Sequence, residues 1–351
     1  MIDRLPLHAT ALGAVSPAGF GVEGLTQRTP LRASRMRLAS SPSQSFPVFS
    51  VDRSDPRWKV WTEEPRLRRS GALSQFLVEA IQQVLNGVGA QARTRIGLVT
   101  IFNNGSIAHI ARFYAGYRDQ GRRFASPLLF PETVYNAATS HAAAVFGLGG
   151  PSCTLIGDEA AWVEGIRMAR IWIELGYVSS ALVAAAEEIT PVTLDAFHCA
   201  RWLHKNRPFR PAEGAVALLL AARPERSLFA LGTAPTSFSY RTRKELPLAA
   251  SLLAQGLPPK VPAYPTARAS WLGPLESAAL RSLPALEPYP CLGEAFAVSS
   301  GWHTLRASTL LSEERPEILV PVWGSNHQLS WLHLRFVPLA AKRTGSPAPS
   351  S

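Results

Sequence analysis

Two adjacent carboxylates stand in this chain where a fold commonly holds a nucleophile. Ser152-Cys153-Thr154-Leu155-Ile156 reads as a short buried strand, and Ala160 to Leu175 reads as a helix with Val163, Ile166, Ala169 and Ile173 at helical spacing. Between them lies the turn Gly157-Asp158-Glu159. A sharp strand-to-helix turn gathers backbone N–H groups and the positive end of the helix dipole, which is what an attacking group needs around it. This turn offers Asp158 and Glu159 and neither Ser nor Cys. A carboxylate at a helix N-terminus is held ionised by the dipole and local N–H groups, and is therefore a weak base.

The elements that position the turn follow from periodicity and from turn residues. Gly176 ends the helix, and Ala181 to Ala186 reads as a second buried strand. Upstream, an apolar strand from Leu7 turns at Gly13 into a loop with Pro17 and Gly19. The Pro-, Ser- and Arg-containing stretch 30–65 reads as surface loop. Ser74 to Leu85 is an amphipathic helix, with Phe76, Leu77, Ala80, Ile81, Val84 and Leu85 on one face. Arg95 to Ile101 is a strand, and an Ala-rich helix spans Asn136 to Phe146. Downstream, Val216 to Ala221, Phe229 to Thr233, Ile318 to Val322 and Leu329 to Val337 read as strands, and Pro274 to Leu283 and Glu294 to Leu305 as helices. Strand–helix–strand order through the first 220 residues indicates an α/β fold with helices on both faces.

Composition narrows the function classes. The chain has 351 residues, 46% hydrophobic and 17% charged, enough for a sizeable core. No apolar run approaches the roughly 18 residues of a membrane span, and the amino terminus has no signal-peptide core, so a cytoplasmic protein without membrane contact is expected. Cys153, Cys199 and Cys291 are widely spaced, which suits buried thiols in a reducing compartment and gives no metal-type pairing. The net charge of +11 comes from dispersed residues such as Arg66, Arg68, Arg69, Arg122, Arg123, Arg241, Arg243 and Lys244. No nucleic-acid motif accompanies them, leaving a solvated surface or an acidic protein partner. The Gly147 to Gly150 run lacks the spacing of a dinucleotide or phosphate loop, and no cofactor is expected.

Five segments, in order and spacing, resemble the β-ketoacyl synthases of the thiolase-like superfamily. Ala9 to Leu25 is similar to their opening strand and G-x-V-S-P-x-G loop. Pro131 to Glu188 holds the Ala-rich helix, a G-L-x-G-P turn, the strand and elbow, and an A-L-V-x-x-x-E strand. Arg207-Pro208-Phe209 with Glu213-Gly214-Ala215 looks like a shortened R-P-F … G-E-G-A segment, and Trp323-Gly324-Ser325-Asn326 like an altered F-G-G-x-N loop. The resemblance implies a thiolase-like α/β fold of two similar halves, with mixed five-stranded-type sheets sandwiching layers of helices. It divides the chain into a complete amino half (1–225), a trimmed carboxyl half (226–340) and a disordered tail (341–351).

Condensing members of that family use a Cys thiolate at the elbow to take the acyl chain, with two His residues supporting malonyl decarboxylation. Carried onto this chain, the nucleophile position falls on Glu159, the first His position on Pro265 and the second on Glu294, so no catalytic residue survives. Trp323 replaces a glycine in the loop whose neighbour would give an oxyanion donor, and Gly324 and Asn326 complete that binding loop. His198, His303 and His327 fall on no family catalytic position and read as packed or surface residues. Phe130 and Tyr135 are implied to lie near a dimer face, where they could cap a partner's acyl tunnel.

The resemblance therefore points to a chain-length-factor-like pseudoenzyme, a subunit paired with an active ketosynthase as a heterodimer, or a homodimer, in fatty-acid or polyketide biosynthesis. The acidic acyl carrier protein is the second expected partner. Two alternatives remain open: a divergent acyl-thioester enzyme, acyltransferase or malonyl decarboxylase, in which Glu159 and Glu294 split acid and base roles, and a scaffold that binds acyl carriers. Against decarboxylation, the Glu159 charge would repel a malonyl carboxylate.

Overall fold

The computed structural model describes residues 6–204, 209–235, 237–326 and 328–338. Its strands are β1 (Leu7–Ser16), β2 (Gly19–Phe20), β3 (Ser34–Arg37), β4 (Ser45–Val48), β5 (Ile96–Phe102) and β6 (Ser152–Ile156). They continue with β7 (Ser180–Glu187), β8 (Gly214–Ala221), β9 (Phe229–Thr233), β10 (Phe238–Ser239), β11 (Glu317–Trp323) and β12 (Gln328–Phe336). The helices are α1 (Gly21–Leu25), α2 (Trp58–Glu63), α3 (Ala72–Leu85), α4 (Ala90–Arg93), α5 (Ile107–Gln120) and α6 (Ala137–Phe146). After them come α7 (Ala161–Glu174), α8 (Pro191–Cys199), α9 (Leu246–Gly256), α10 (Gly273–Ala279) and α11 (Ala297–Ser308).

One sheet runs β10-β12-β9-β1-β8-β7-β5-β6, with β11 paired to β12 and β2 to β1. β5 pairs in parallel with β6 and β7, and the remaining pairs of this sheet are antiparallel, so the sheet is mixed. β5, β7 and β8 are buried along almost their whole length, consistent with their unbroken apolar runs and with helices on both faces. On one face α3 packs over β1, β7 and β8 and brings α6 with it. On the other, α7 and α11 lie side by side between β5, β7 and β8 and the strands β11 and β12. The Trp162 indole N–H donates to Thr304 Oγ1 at 3.1 Å, tying these two helices together. They form the central layer, and both begin at the candidate site.

Several sequence expectations need correction. Gly13 is no turn: β1 runs through it to Ser16, because α3 comes so close that a Cβ there would stand 2.1 Å from the Ala80 carbonyl oxygen. The stretch 30–65 is not surface loop, since it carries the β3–β4 hairpin and α2, with Val48, Trp58 and Trp61 buried. The helix begun at Pro274 stops at Ala279 instead of Leu283. Glu294 does not start a helix; it forms a bridge with Pro211, and α11 begins only after Phe296 turns the chain at φ 53°. Cys199 and Cys291 are exposed and Cys153 is half-buried, against the expectation of buried thiols. Arg207, Pro208, His327 and the tail 341–351 lie outside the described residues. Among those described, no helix is long and apolar enough to cross a membrane.

Candidate functional site

The turn after β6 continues the β5 ladder by one bond, Gly157 N–H to the Phe102 carbonyl at 3.0 Å. Asp158 then caps the chain entering α7, its Oδ1 accepting from the Ala160 N–H at 3.0 Å. Glu159 follows, with its carbonyl oxygen held by the Ser300 hydroxyl of α11 at 2.9 Å. Among the described residues the positive-φ residues other than glycine are Arg201, Lys260 and Phe296, so Glu159 does not take a left-handed backbone. Both Asp158 and Glu159 are buried, whereas a nucleophile elbow exposes its side chain.

The β11–β12 loop closes over these carboxylates. The Ser325 N–H donates to Glu159 Oε2 at 2.9 Å and its hydroxyl to the same oxygen at 2.9 Å. The next N–H, that of Asn326, donates to Asp158 Oδ2 at 2.5 Å. Gly324 permits this approach, because a Cβ there would stand 2.3 Å from the Gln328 carbonyl oxygen and 3.0 Å from each Asp158 carboxylate oxygen. The Tyr240 hydroxyl donates to the Gly324 carbonyl at 2.7 Å and fixes the loop from the other side. Trp323 is buried in the core formed by α9, α10, β11 and β12, beside Glu276.

Glu294 completes the cluster. Its carboxylate accepts from the Phe296 N–H at 2.9 Å, as Asp158 accepts from Ala160, so the chain approaches each central helix past a carboxylate bonded to the N–H two residues ahead. Burial, then the charges of Glu294 and Asp158, push the Glu159 carboxyl well above the usual range. Burial likewise raises Glu294, to about 7, against hydrogen bonds from Ser299, Phe296 and Ala295, with the Asp158 charge adding to the rise. Three carboxyls in one dry cluster cannot all ionise cheaply, so the group retains protons near neutrality. Glu159 and Glu294 are therefore brought within electrostatic reach of each other. Among the described residues, no group of three His, Cys, Asp or Glu side chains is arranged to hold a metal.

Pro265 lies outside this cluster. It lines a slot of about 10 Å³ with Thr266, Cys291, Gly293, His303 and Arg306. The loop following Pro265 is pinned by Glu276, which accepts from the Thr266 N–H and Ala267 N–H at 2.8 Å each. His303 is held neutral, its pKa lowered to about 3 by burial and then by Arg306. Phe130 and Tyr135 are exposed, and their described contacts lead elsewhere: Phe130 to the Phe113 ring at 5.6 Å, Tyr135 to the backbone at Gly105.

Sequence reasoning gave no role to Ser299 and Ser325, which hold the Glu294 and Glu159 carboxylates, to Ser300, which holds the Glu159 carbonyl, or to Glu276. A second buried acidic group was also missed as such. Burial raises Glu187 to about 8 and Glu213 to about 7. Glu187 accepts from Asn103 N–H and Asn104 Nδ2, and Glu213 from Val51 N–H and Ile189 N–H at 3.1 Å each. The available signal was their position, Glu187 at the end of the apolar run of β7 and Glu213 just before that of β8.

The family of the beta-ketoacyl synthase N-terminal domain matches residues 34–223. Comparison with curated proteins gives no match. Among solved structures, the chain is similar to the ishigamide ketosynthase/chain length factor, with 20% identity, 95% of this chain and 100% of that chain covered, and a TM-score of 0.78. It is also similar to a chain of the AntDE:AntF structure, a type II polyketide synthase acyl-carrier protein in complex with its ketosynthase, at 16% identity, 95% and 100% coverage and a TM-score of 0.75. A beta-ketoacyl synthase from Burkholderia phymatum matches at 16% identity with the same coverage and a TM-score of 0.69. These likenesses establish the thiolase-like ketosynthase fold over nearly the whole chain, and the matched domain establishes the lineage: the chain belongs to the β-ketoacyl synthase family.

Proposed function

We propose that this protein is a non-catalytic, chain-length-factor-like subunit that supports an active β-ketoacyl synthase in fatty-acid or polyketide-type biosynthesis. One observation carries the reading: the Glu159 carboxylate takes both the N–H and the hydroxyl of Ser325. The resemblance puts the nucleophile at Glu159 and an oxyanion donor in the 323–326 loop. If both positions hold, the donor that would stabilise a tetrahedral intermediate is occupied by the side chain that replaces the nucleophile. Pro265 supplies no titratable group, and the Glu294 carboxylate is engaged by the Phe296 N–H.

The partner surface is what the fold leaves open. Among the described residues β6 ends the sheet, paired with β5 alone, and Ile156 on it is 59% exposed. An unpaired apolar edge is a template for another sheet. The exposed Phe130 lies in the 3-10 turn that packs on α6, and α6 in turn packs on β6. A basic surface, with a net charge of +11, suits an acidic acyl carrier protein.

The raised carboxyls of Glu159 and Glu294 favour a second reading, an acyl-thioester enzyme with acid–base chemistry. Co-expression with a β-ketoacyl synthase and incubation with acyl and malonyl carrier-protein thioesters separates the two. The subunit reading expects co-purification and no turnover by the chain alone. Turnover by the chain alone, abolished in Glu159→Ala, would establish the enzyme instead.

A further inference from the structure

We propose that the slot beside Pro265 binds a compact inorganic anion, chloride being the simplest, with the Arg306 guanidinium as its main contact. The proposal is independent of the subunit reading. Arg306 stands in the last turn of α11 and is 1% exposed. Its Nε–H donates to the Leu25 carbonyl at 2.7 Å, and its guanidinium lies 5.6 Å from the centroid of the Tyr289 ring. The Tyr264 hydroxyl accepts a further hydrogen bond. Nη2 is buried, lines the slot and has no hydrogen-bond partner among the described residues. Among those residues Arg306 also makes no ion pair. A guanidinium does not give up its proton when buried. A buried charge with no counter-charge is costly, so this one calls for an anion.

The surroundings carry the same sign. Arg268 lines the slot from an exposed position, and Arg28 lies over the Tyr289 ring at 4.8 Å from its centroid. Neither makes an ion pair among the described residues. No described carboxylate lines the slot. The acid felt there is Glu294, whose charge acts on the Cys291 thiol, and burial raises Glu294 to about 7, so it is partly protonated at neutrality.

Size decides which anion fits. The slot offers about 10 Å³, room for one particle near the size of a water molecule. A halide meets that limit, as does a single oxygen of a small oxyanion. Water is the rival occupant, because it could accept from Arg306 Nη2 and donate to His303 Nδ1, the other buried atom of the lining without a partner. It would leave the Arg306 charge uncompensated, whereas an anion supplies both the acceptor and the counter-charge. The exposed Arg268 and Cys291 put the slot within reach of solvent, so the anion can enter and leave.

Two measurements test the proposal. Crystals equilibrated in sodium bromide are expected to show an anomalous peak in the slot, in contact with Arg306 Nη2. In solution, chlorine NMR linewidth at fixed ionic strength, with gluconate as the balancing anion, reads chloride binding directly. Broadening is expected with the wild type and its loss with Arg306→Gln. Arg268→Gln, an exposed change that keeps the buried group, is expected to weaken chloride binding at least about threefold. Should Arg306→Gln fail to fold, the Arg268→Gln comparison and the bromide map still decide. Displacement of chloride by phosphate at lower concentration than by bromide would make an oxyanion the better ligand of the same site. Slot density without anomalous signal, which marks a water, overturns the proposal. So does chloride broadening that is the same in Arg268→Gln as in the wild type.

Discussion

The Ser325 N–H and hydroxyl both reach the Glu159 carboxylate at 2.9 Å, so the β11–β12 loop and the turn into α7 are locked together across the central layer. A carboxylate so held is a structural anchor. Glu159→Ala leaves a void and strips two partly buried donors of their acceptor. The expected cost is about 2–4 kcal/mol by urea unfolding. Glu159→Gln keeps an acceptor oxygen, removes the charge conflict with Asp158 and Glu294, and is expected to fold at least as stably as the wild type above pH 7. A Gln variant as damaged as the Ala variant would show that the negative charge is required.

Rising pH should weaken the fold. Glu187, Glu213 and Glu294 carry folded-state values of about 8, 7 and 7 against an ordinary 4.5. Between those limits the folded state holds protons that the unfolded chain has released, so stability is fully present below about pH 4.5 and is lost as pH rises towards 8. For Glu213 alone the window corresponds to roughly 3 kcal/mol. Urea midpoints between pH 5 and 8.5 should fall, and Glu213→Gln should flatten the decline. A midpoint that climbs across this range would contradict the burial argument.

Gly13 is expected to tolerate no side chain. Its Cβ would collide with the Ala80 carbonyl oxygen, part of the α3 backbone and unable to move aside. Gly13→Ala should cost more than about 2 kcal/mol, seen as a large fall in thermal midpoint, because α3 must leave β1 to make room. A drop of only a degree or two would mean that α3 can shift.

The sequence made some of this legible and hid the rest for identifiable reasons. α3 and α7 follow from apolar spacing, since a helix with one buried face writes its period into the chain. Gly13 misled because a glycine that admits a neighbouring backbone looks the same as one that makes a turn. The 30–65 stretch misled because its buried groups, Val48, Trp58 and Trp61, are too sparse to set a period. The resemblance singled out Glu159 by counting from its flanking turns and Glu294 from an expected helix start that the fold does not have, yet the fold brings the two close enough to perturb each other. The Ser325 contact could not be foreseen: it joins residues 166 positions apart and depends on the space left by Gly324.

Removing the Gly324 conformation tests that loop directly. Gly324→Ala would press a methyl against the Gln328 carbonyl and the Asp158 carboxylate. The loop should lift from the site, exposing Glu159 and Asp158, with faster amide exchange at Ser325 and Asn326 as the readout. Unchanged exchange at both amides would show that the loop is held by something other than these bonds.

On the subunit reading the Glu159 and Glu294 carboxylates hold structure and do no chemistry. The most direct measurement is the condensation rate of a β-ketoacyl synthase co-purified with this chain, wild type against Glu159→Gln. A supporting subunit predicts rates equal within about twofold, whereas a fall of about a hundredfold or more would place Glu159 in the reaction and contradict the account.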